Sequence, residues 1–360
     1  MSSDICRKKS TAKHMMDSSK DFNVRNIGAL LLVFLLIVSL YVFSNPVGSK
    51  PFFSPQQYHP HNCSCPQSNT SNGQRGGLDA ALAEASTANK SLIITIVNKA
   101  YVEGAKPMLD MFLDSLWFGE DTRQLVNHLL LVTMDQTSYN RCIFLRLHCY
   151  KLQTRGVDFD IEKIYMSDDF IRMMWRRTLF LRDVLKRGYN FIFTDTDVMW
   201  LRNPFPRLIE NGNVDLQIST DKFNGNEWSK GNRINTGFYM IRSNNKTISL
   251  FESWYGKKDS SLGLKEQDVL QNMLREGVFR QLGVGVRFLD TRYFSGFCQQ
   301  SKDIRTVNTV HANCCRTISA KVADLMAVLH TWNNFKMNIN HTSQFRNLKH
   351  VNCINSWKNI

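Results

Sequence analysis

The chain of 360 residues carries 45 Lys and Arg against 31 Asp and Glu, a formal charge of +14, and 43% of its residues are hydrophobic. About 270 residues follow its leading segments, enough for one large α/β domain, and no internal repeat divides them. The basic balance favours anionic partners, but nucleic acid is set aside, because an apolar anchor and glycosylation sequons place the domain in a lumen.

Residues 1–26 are polar and basic, with Arg7, Lys8, Lys9, Lys13, Lys20 and Arg25 against Asp4, Asp17 and Asp21. The uncharged run Ile27–Phe43 is long enough for a thin bilayer with little tilt. Cations before it, with only Lys50 close behind, predict a cytosolic amino terminus and a lumenal remainder. A cleaved signal peptide fits less well, since signal h-regions are shorter and Ser44–Lys50 lacks a small-x-small site. Residues 44–88 are rich in Pro, Ser, Asn, Gln and Gly, which predicts a flexible lumenal stem before a domain over 89–360. Sequons stand at Asn62, Asn69, Asn89, Asn245 and Asn340. Of nine cysteines only Cys6 precedes the anchor. Cys142 and Cys149 are close enough to staple a local turn, and the pairing of Cys298, Cys314, Cys315 and Cys353 stays open. Cys63 and Cys65 in the stem could link two chains into a homodimer.

Short apolar runs predict strands at 91–97, 128–134, 190–195, 216–220 and 237–243. Between them lie helical patterns. Met108, Met111, Phe112 and Leu116 share one face. A longer helix runs from an Asp cap before Phe170 to a stop at Gly188, and another lies between Gly263 and Gly277. Strands alternating with helices argue for a mostly parallel sheet covered on both faces. Aromatic and Met positions on these helices read as core.

The segment "NFIFTDTDVMWLRNPF" (190–205) carries the chemistry. A buried strand delivers Asp195 and Asp197 to its carboxyl end, the edge where open α/β sheets bind ligands. Two hard oxygen ligands on one short turn suit a divalent cation that also carries substrate phosphates. A second D-x-D, Asp158 and Asp160, follows Gly156 with no apolar strand before it and reads as a solvated turn.

With this D-x-D, the segments "MMWRRTLFLRDVLKRGYNFIFTDTDVMWLRNPF", "STDKFNG", "NTGFYMIRS", "KEQDVL" and "VHANCC" form an ordered set. Over about residues 90–335 the set resembles the nucleotide-diphospho-sugar transferases of GT-A fold, and within them the plant enzymes of glycosyltransferase family 77, xylosyl- and arabinosyltransferases of cell-wall polymers and glycoproteins. The resemblance implies a Rossmann-like α/β domain, a UDP-sugar donor, a glycan or glycoprotein acceptor, Mn²⁺ or Mg²⁺ as cofactor, and a Golgi membrane location. It assigns Asp195 and Asp197 to the metal, with His311 as third ligand, and Lys321 to the diphosphate. It also puts Arg176 or Arg177 on the donor phosphates or sugar. Asn98, Tyr101 and Asp135, at the ends of the first two strands, are candidates for the base and ribose, with a plain turn role for Asn98 and Asp135 left open. The family is retaining, and "EQDVL" places Gln267 or Asp268 near the anomeric carbon. Asp221 is assigned to acceptor or donor hydroxyls. Asn235 and Gly237 open a strand where backbone approaches a sugar closely.

Two rivals remain from the sequence alone. A D-x-D phosphatase is disfavoured, since Met199 stands where its signature wants Thr or Val and two strands precede the motif. A non-catalytic glycan- or nucleotide-sugar-binding protein on the same fold is the other, opposed by the presence of both carboxylates and the His.

Overall fold

The computed structural model describes residues 73–153, 162–163, 165–209, 212–337 and 348–358. All belong to the second of the two units into which the chain divides, Ser68–Ile360. The tail, the anchor, most of the stem, Cys63, Cys65, Asp158, Asp160, and the sequons at Asn62, Asn69 and Asn340 lie outside the described residues. Among the described residues no helix is long and apolar enough to cross a membrane.

The main sheet is built from β1 (Ser91–Val97), β2 (Leu129–Thr133), β3 (His148–Lys151), β4 (Asn190–Thr194), β6 (Leu216–Lys222), β7 (Arg233–Ile241) and β8 (Val286–Phe288). Their order is β3-β2-β1-β4-β7-β6-β8. Only β7 runs against the rest, antiparallel to both β4 and β6. A second sheet has the order β5-β10-β9, from β5 (Val198–Trp200), β9 (Phe294–Gly296) and β10 (Thr309–His311).

The continuous apolar runs of β1 and β4 follow from burial on both faces. Leu92, Ile94, Phe191 and Phe193 enter one core, which also takes Trp175, Phe180 and Trp254. Ile93 and Ile192 enter the other, with Met108, Phe112, Val328 and Trp332. The covering helices are α1 (Gly73–Ala85), α2 (Met108–Phe118), α3 (Gln136–Phe144), α4 (Asp168–Lys186), α5 (Asn245–Gly256), α6 (Glu266–Arg275) and α7 (Ile318–Lys336).

Two expectations change. Residues 73–85 are not stem: α1 buries Leu78, Ala81, Leu82 and Ala85, an i, i+3, i+4, i+7 stripe, so the folded domain begins before residue 89. The cap of α4 is Ser167, whose hydroxyl accepts from the Phe170 N–H at 3.2 Å, while Asp168 and Asp169 sit in the first turn. The helix still ends as expected, with Gly188 at φ +80° just past it. Cys142 pairs with Cys149, Cys298 with Cys314 and Cys315 with Cys353.

Candidate functional site

β4 ends at Thr194, and the chain turns tightly through Asp195, Thr196 and Asp197 into β5. The Asp195 N–H donates to the Gly237 carbonyl at 2.7 Å, and the Val198 N–H donates back to the Asp195 carbonyl at 3.2 Å. β10 lies antiparallel on β5 with His311 opposite Val198, and the Ala312 N–H donates to the Asp197 carbonyl at 3.0 Å. These ladders bring ligand atoms of Asp195, Asp197 and His311 within 4.8 Å of one another. His311 Nε2 is 3.3 Å from Asp197 Oδ1, and its Nδ1 is buried with no hydrogen-bond partner among the described residues.

Gly237 makes the space. A Cβ there would stand 2.4 Å from His311 Cε1 and 2.8 Å from Asp195 Oδ2. Its missing side chain therefore faces the carboxylate and imidazole cluster, where the sequence suggested close approach to a sugar. Two carboxylates, an imidazole with a nitrogen unspent and a glycine-made cradle fit Mn²⁺ or Mg²⁺, oxygen-preferring ions of which Mn²⁺ accepts nitrogen more readily.

The carboxylates have different surroundings. Asp197 takes the Lys321 ammonium at 2.8 Å. Burial would raise its pKa, but Lys321 and His311 together hold it well below the usual carboxylate range. Asp195 is pushed up, first by burial and then by the nearby Asp197, with Arg177 opposing. Its side chain keeps 34% of its surface open to the cleft, against 5% for Asp197. Burial lowers the affinity of His311 for a proton, yet the Asp197 carboxylate outweighs it and raises the imidazole pKa.

Arg177 lies inside. Its Nη1 donates to Asp195 at 2.8 Å, and its Nη2 donates to Glu266 at 2.6 Å and to Thr236 Oγ1 at 3.2 Å. Burial works against its charge, and the Asp195 and Glu266 carboxylates more than compensate, raising its pKa. Of the two arginines left open by the sequence, Arg177 is the one that lines the cleft, with its Nη1 spent on Asp195 and its Nη2 on Glu266 and Thr236. Arg176 lies about 100° around the helix and donates to the Gln153 carbonyl at 2.8 Å, away from the site.

A cleft of about 330 Å³ surrounds this cluster, lined by Asn98, Tyr101, Asp221, Asn235, Gly237, Gln267, Asp268 and Lys321 among others. Burial raises the Tyr101 pKa to about 12, with Lys321 opposing, so the phenol is a hydrogen donor there. Asp221 sits at a register shift between Thr220 and Lys222, a bulge that re-aims a strand side chain. It accepts from Asn235 Nδ2 at 2.9 Å and from Gln267 Nε2 at 3.5 Å. The Gln267 carbonyl oxygen accepts the Thr236 N–H at 3.0 Å. Asp268 is half-buried, and burial raises its pKa. Asp135 is not part of the cleft. It caps α3, accepting from the Ser138 N–H at 2.8 Å and the Lys99 N–H at 2.6 Å, so the turn role prevails.

Sequence reasoning passed over Glu266, Thr236 and Asn313. Asn313 follows His311 by two residues, and its Nδ2 donates to Asp221 at 2.8 Å. It lies past the end of β10, and no local signal marked it. Trp357 also lines the cleft, on a segment tied down by Cys315–Cys353 and by the Trp357 Nε1 donation to the Cys314 carbonyl at 3.0 Å. No local signal marked it.

Residues 124–325 match the model of a family described as nucleotide-diphospho-sugar transferase. An uncharacterized protein of Arabidopsis thaliana is 55% identical over 285 residues, covering 78% of this chain and 84% of that protein. The beta-arabinofuranosyltransferase RAY1 of the same plant is 26% identical over 231 residues, 60% of this chain and 41% of its own length. The galactosyltransferase LgtC, solved with donor and acceptor sugar analogs, aligns over 61% of this chain and 86% of its own at 14% identity and a TM-score of 0.36, a likeness too low to argue from.

Proposed function

The chain belongs to the nucleotide-diphospho-sugar transferase family, and on that premise we propose that it moves a sugar from a UDP-sugar to a cell-wall polysaccharide or glycoprotein, with a divalent cation and retention of anomeric configuration. The observation that carries this reading is the meeting of Asp195, Asp197 and His311 at the carboxyl end of β4, on one cleft with Asp221, Gln267 and Asp268. The arabinosyl relative makes UDP-arabinose the first donor to try.

Asp195, Asp197 and His311 would hold the cation, which supplies Lewis-acid neutralisation of the leaving diphosphate. Lys321 stands on the same carboxylate and brings a second positive charge to the diphosphate side. Arg177 fixes the Asp195 rotamer and is a positioning residue. Asn98 and Tyr101, from the end of β1, offer polar groups to base or ribose. Toward the sugar, Thr236 holds the Gln267 carbonyl, which turns the amide nitrogen to Asp221. We assign Gln267 and Asp221 to positioning and not to nucleophilic attack. In a front-face transfer the leaving phosphate oxygen takes the acceptor proton, and the protein contributes position and field.

The purified chain, Mn²⁺ and a panel of UDP-sugars scored for slow hydrolysis test the reading. Turnover of one donor supports it. Tight UDP-sugar binding without turnover identifies the non-catalytic alternative on the same fold.

Gln267 cannot titrate, so it orients and does not act as a base. Gln267→Ala is expected to slow transfer about 10²-fold through lost positioning, with UDP affinity nearly unchanged. NMR of the first-formed product should show the anomeric configuration of the donor. An inverted anomer refutes retention, and weakened UDP binding moves Gln267 to the nucleotide subsite.

We also propose a single-pass Golgi protein with this domain in the lumen. Three disulfides among the described residues support an oxidising compartment, and Asn89 and Asn245 are both exposed. Endoglycosidase treatment of the expressed protein is expected to lower its apparent mass. Unchanged mobility, with the carboxyl terminus open to protease in sealed microsomes, rejects this topology.

A further inference from the structure

The hairpin joining β6 to β7 carries charge that the fold does not use. Lys222 and Arg233 are register partners across the two strands, and like charges directly opposite destabilise a sheet. Both are exposed, as is Lys230 in the connecting loop. Among the described residues none of the three forms an ion pair. The acidic groups beside them are engaged elsewhere: Asp221 by the amides of Asn235 and Asn313, and Glu227 by Arg287 at 2.7 Å.

The position of this charge matters. Arg233 lines the catalytic cleft. It stands four residues before Gly237, roughly 13 Å along an extended strand. On the other side Lys222 leads directly into Phe223. With Trp228, Tyr293 and Arg207, Phe223 lines a second cleft of about 550 Å³, whose carboxylates Glu227 and Asp290 are taken by Arg287 at 2.7 Å and by Arg292 at 3.2 Å. Trp228 is 52% exposed, and the Arg207 guanidinium lies 4.0 Å over the Tyr293 ring. Exposed aromatic faces stack on the C–H side of sugar rings, and unpaired cations at a rim select carboxylates.

We propose that this hairpin is the acceptor platform and that the acceptor is an acidic polysaccharide. Its uronate-bearing chain lies from the catalytic cleft across Arg233, Lys222 and Lys230 to the Trp228 cleft. This rests on the transferase reading and names its acceptor class. Cations alternating with aromatic rings fit a sugar chain that offers both carboxylates and flat C–H faces. A bound carboxylate would relieve the repulsion of the opposed Lys222 and Arg233. The overall charge of +14 has the sign that draws such a polymer in.

The test titrates the full chain with a galacturonic acid hexamer and with the same hexamer fully methyl-esterified, at low and at raised salt. The acidic hexamer is expected to bind about tenfold tighter at low salt, with the advantage shrinking as salt screens it. The double variant Lys222→Gln, Lys230→Gln should lose most of that advantage and keep its thermal midpoint, since both side chains are exposed. Equal affinity for the two hexamers overturns the proposal. So does an advantage that the folded double variant retains in full, or equally tight binding of an oligo-aspartate of the same charge. Should the variant fail to fold, the comparison of hexamers on the unaltered chain decides alone. UDP-sugar hydrolysis, measured in parallel, separates the two readings. Hydrolysis without acidic preference rejects the acceptor class only. Acidic preference with UDP-sugar bound but never turned over keeps the platform and rejects the transferase.

Discussion

On the proposed metal reading, replacing Asp197 with alanine is expected to lower donor turnover by at least about 10³-fold. The magnitude follows from the charge at stake: losing one metal ligand removes several kcal/mol of stabilisation on the leaving diphosphate, and each ~1.36 kcal/mol is tenfold in rate. Asp197 is not a solvent-facing group at a strand end. It is 4% exposed and takes the Lys321 ammonium, so alanine also leaves that cation without its partner. Lys321 borders the open cleft and can rehydrate there, which limits the damage to the fold. Asp197→Asn keeps the shape and is the cleaner version. Both variants are expected to lose Mn²⁺ affinity in a titration while keeping a native circular dichroism spectrum. Asp160→Ala, in the other D-x-D, should leave turnover close to wild type. Equal losses at Asp197 and Asp160 would place the metal elsewhere.

The fold was legible where burial is local. The cores on both faces of β1 and β4 demand unbroken apolar runs, and those runs stand in the chain. β10 was not legible, because three residues become a strand only by pairing with β9 and with β5, and β5 lies far off in sequence. His311 therefore came from resemblance and not from pattern. The choice between Arg176 and Arg177 was recoverable. Met173, Arg177, Phe180 and Val184 stand at i, i+4, i+7 and i+11, the buried stripe of α4, and all are buried. That phase turns Arg177 inward to Asp195 and Glu266 and leaves Arg176 at the flank. Asp135 could likewise be read as a cap, with Ser138 three residues on inside a short helix. The stem was extended too far because its glycines at 73, 76 and 77 masked the stripe from Leu78 to Ala85. The cystine that brings Trp357 to the cleft joins residues 38 apart, and no local rule fixes such a partner.

A single methyl group at Gly237 gives the sharpest test of the metal reading. Gly237 is absent from the residues with positive φ, so alanine meets no backbone strain there. Its Cβ would meet the His311 ring at 2.4 Å and Asp195 Oδ2 at 2.8 Å, both below any ordinary contact. Something must give. The backbone at that point is held by the Asp195 N–H on its carbonyl and by its own N–H on Asn235 Oδ1 at 2.8 Å. His311 is fixed by β10 and by Asp197. The Asp195 side chain, a third exposed, can move only off Arg177, and the imidazole only off Asp197. Either movement spoils the convergence of the three ligands. Gly237→Ala is therefore expected to weaken Mn²⁺ binding roughly 10- to 100-fold, the range seen when the support of a metal ligand is disturbed, and to lower turnover in proportion. Excess Mn²⁺ should restore part of the rate, a response that a merely unfolded variant would not give. Gly256→Ala is the control. That residue ends α5 with nothing within 4 Å of a Cβ, and alanine there should leave metal affinity and turnover unchanged. Wild-type Mn²⁺ affinity in Gly237→Ala would mean that the metal, if one is used, does not sit between Asp195, Asp197 and His311.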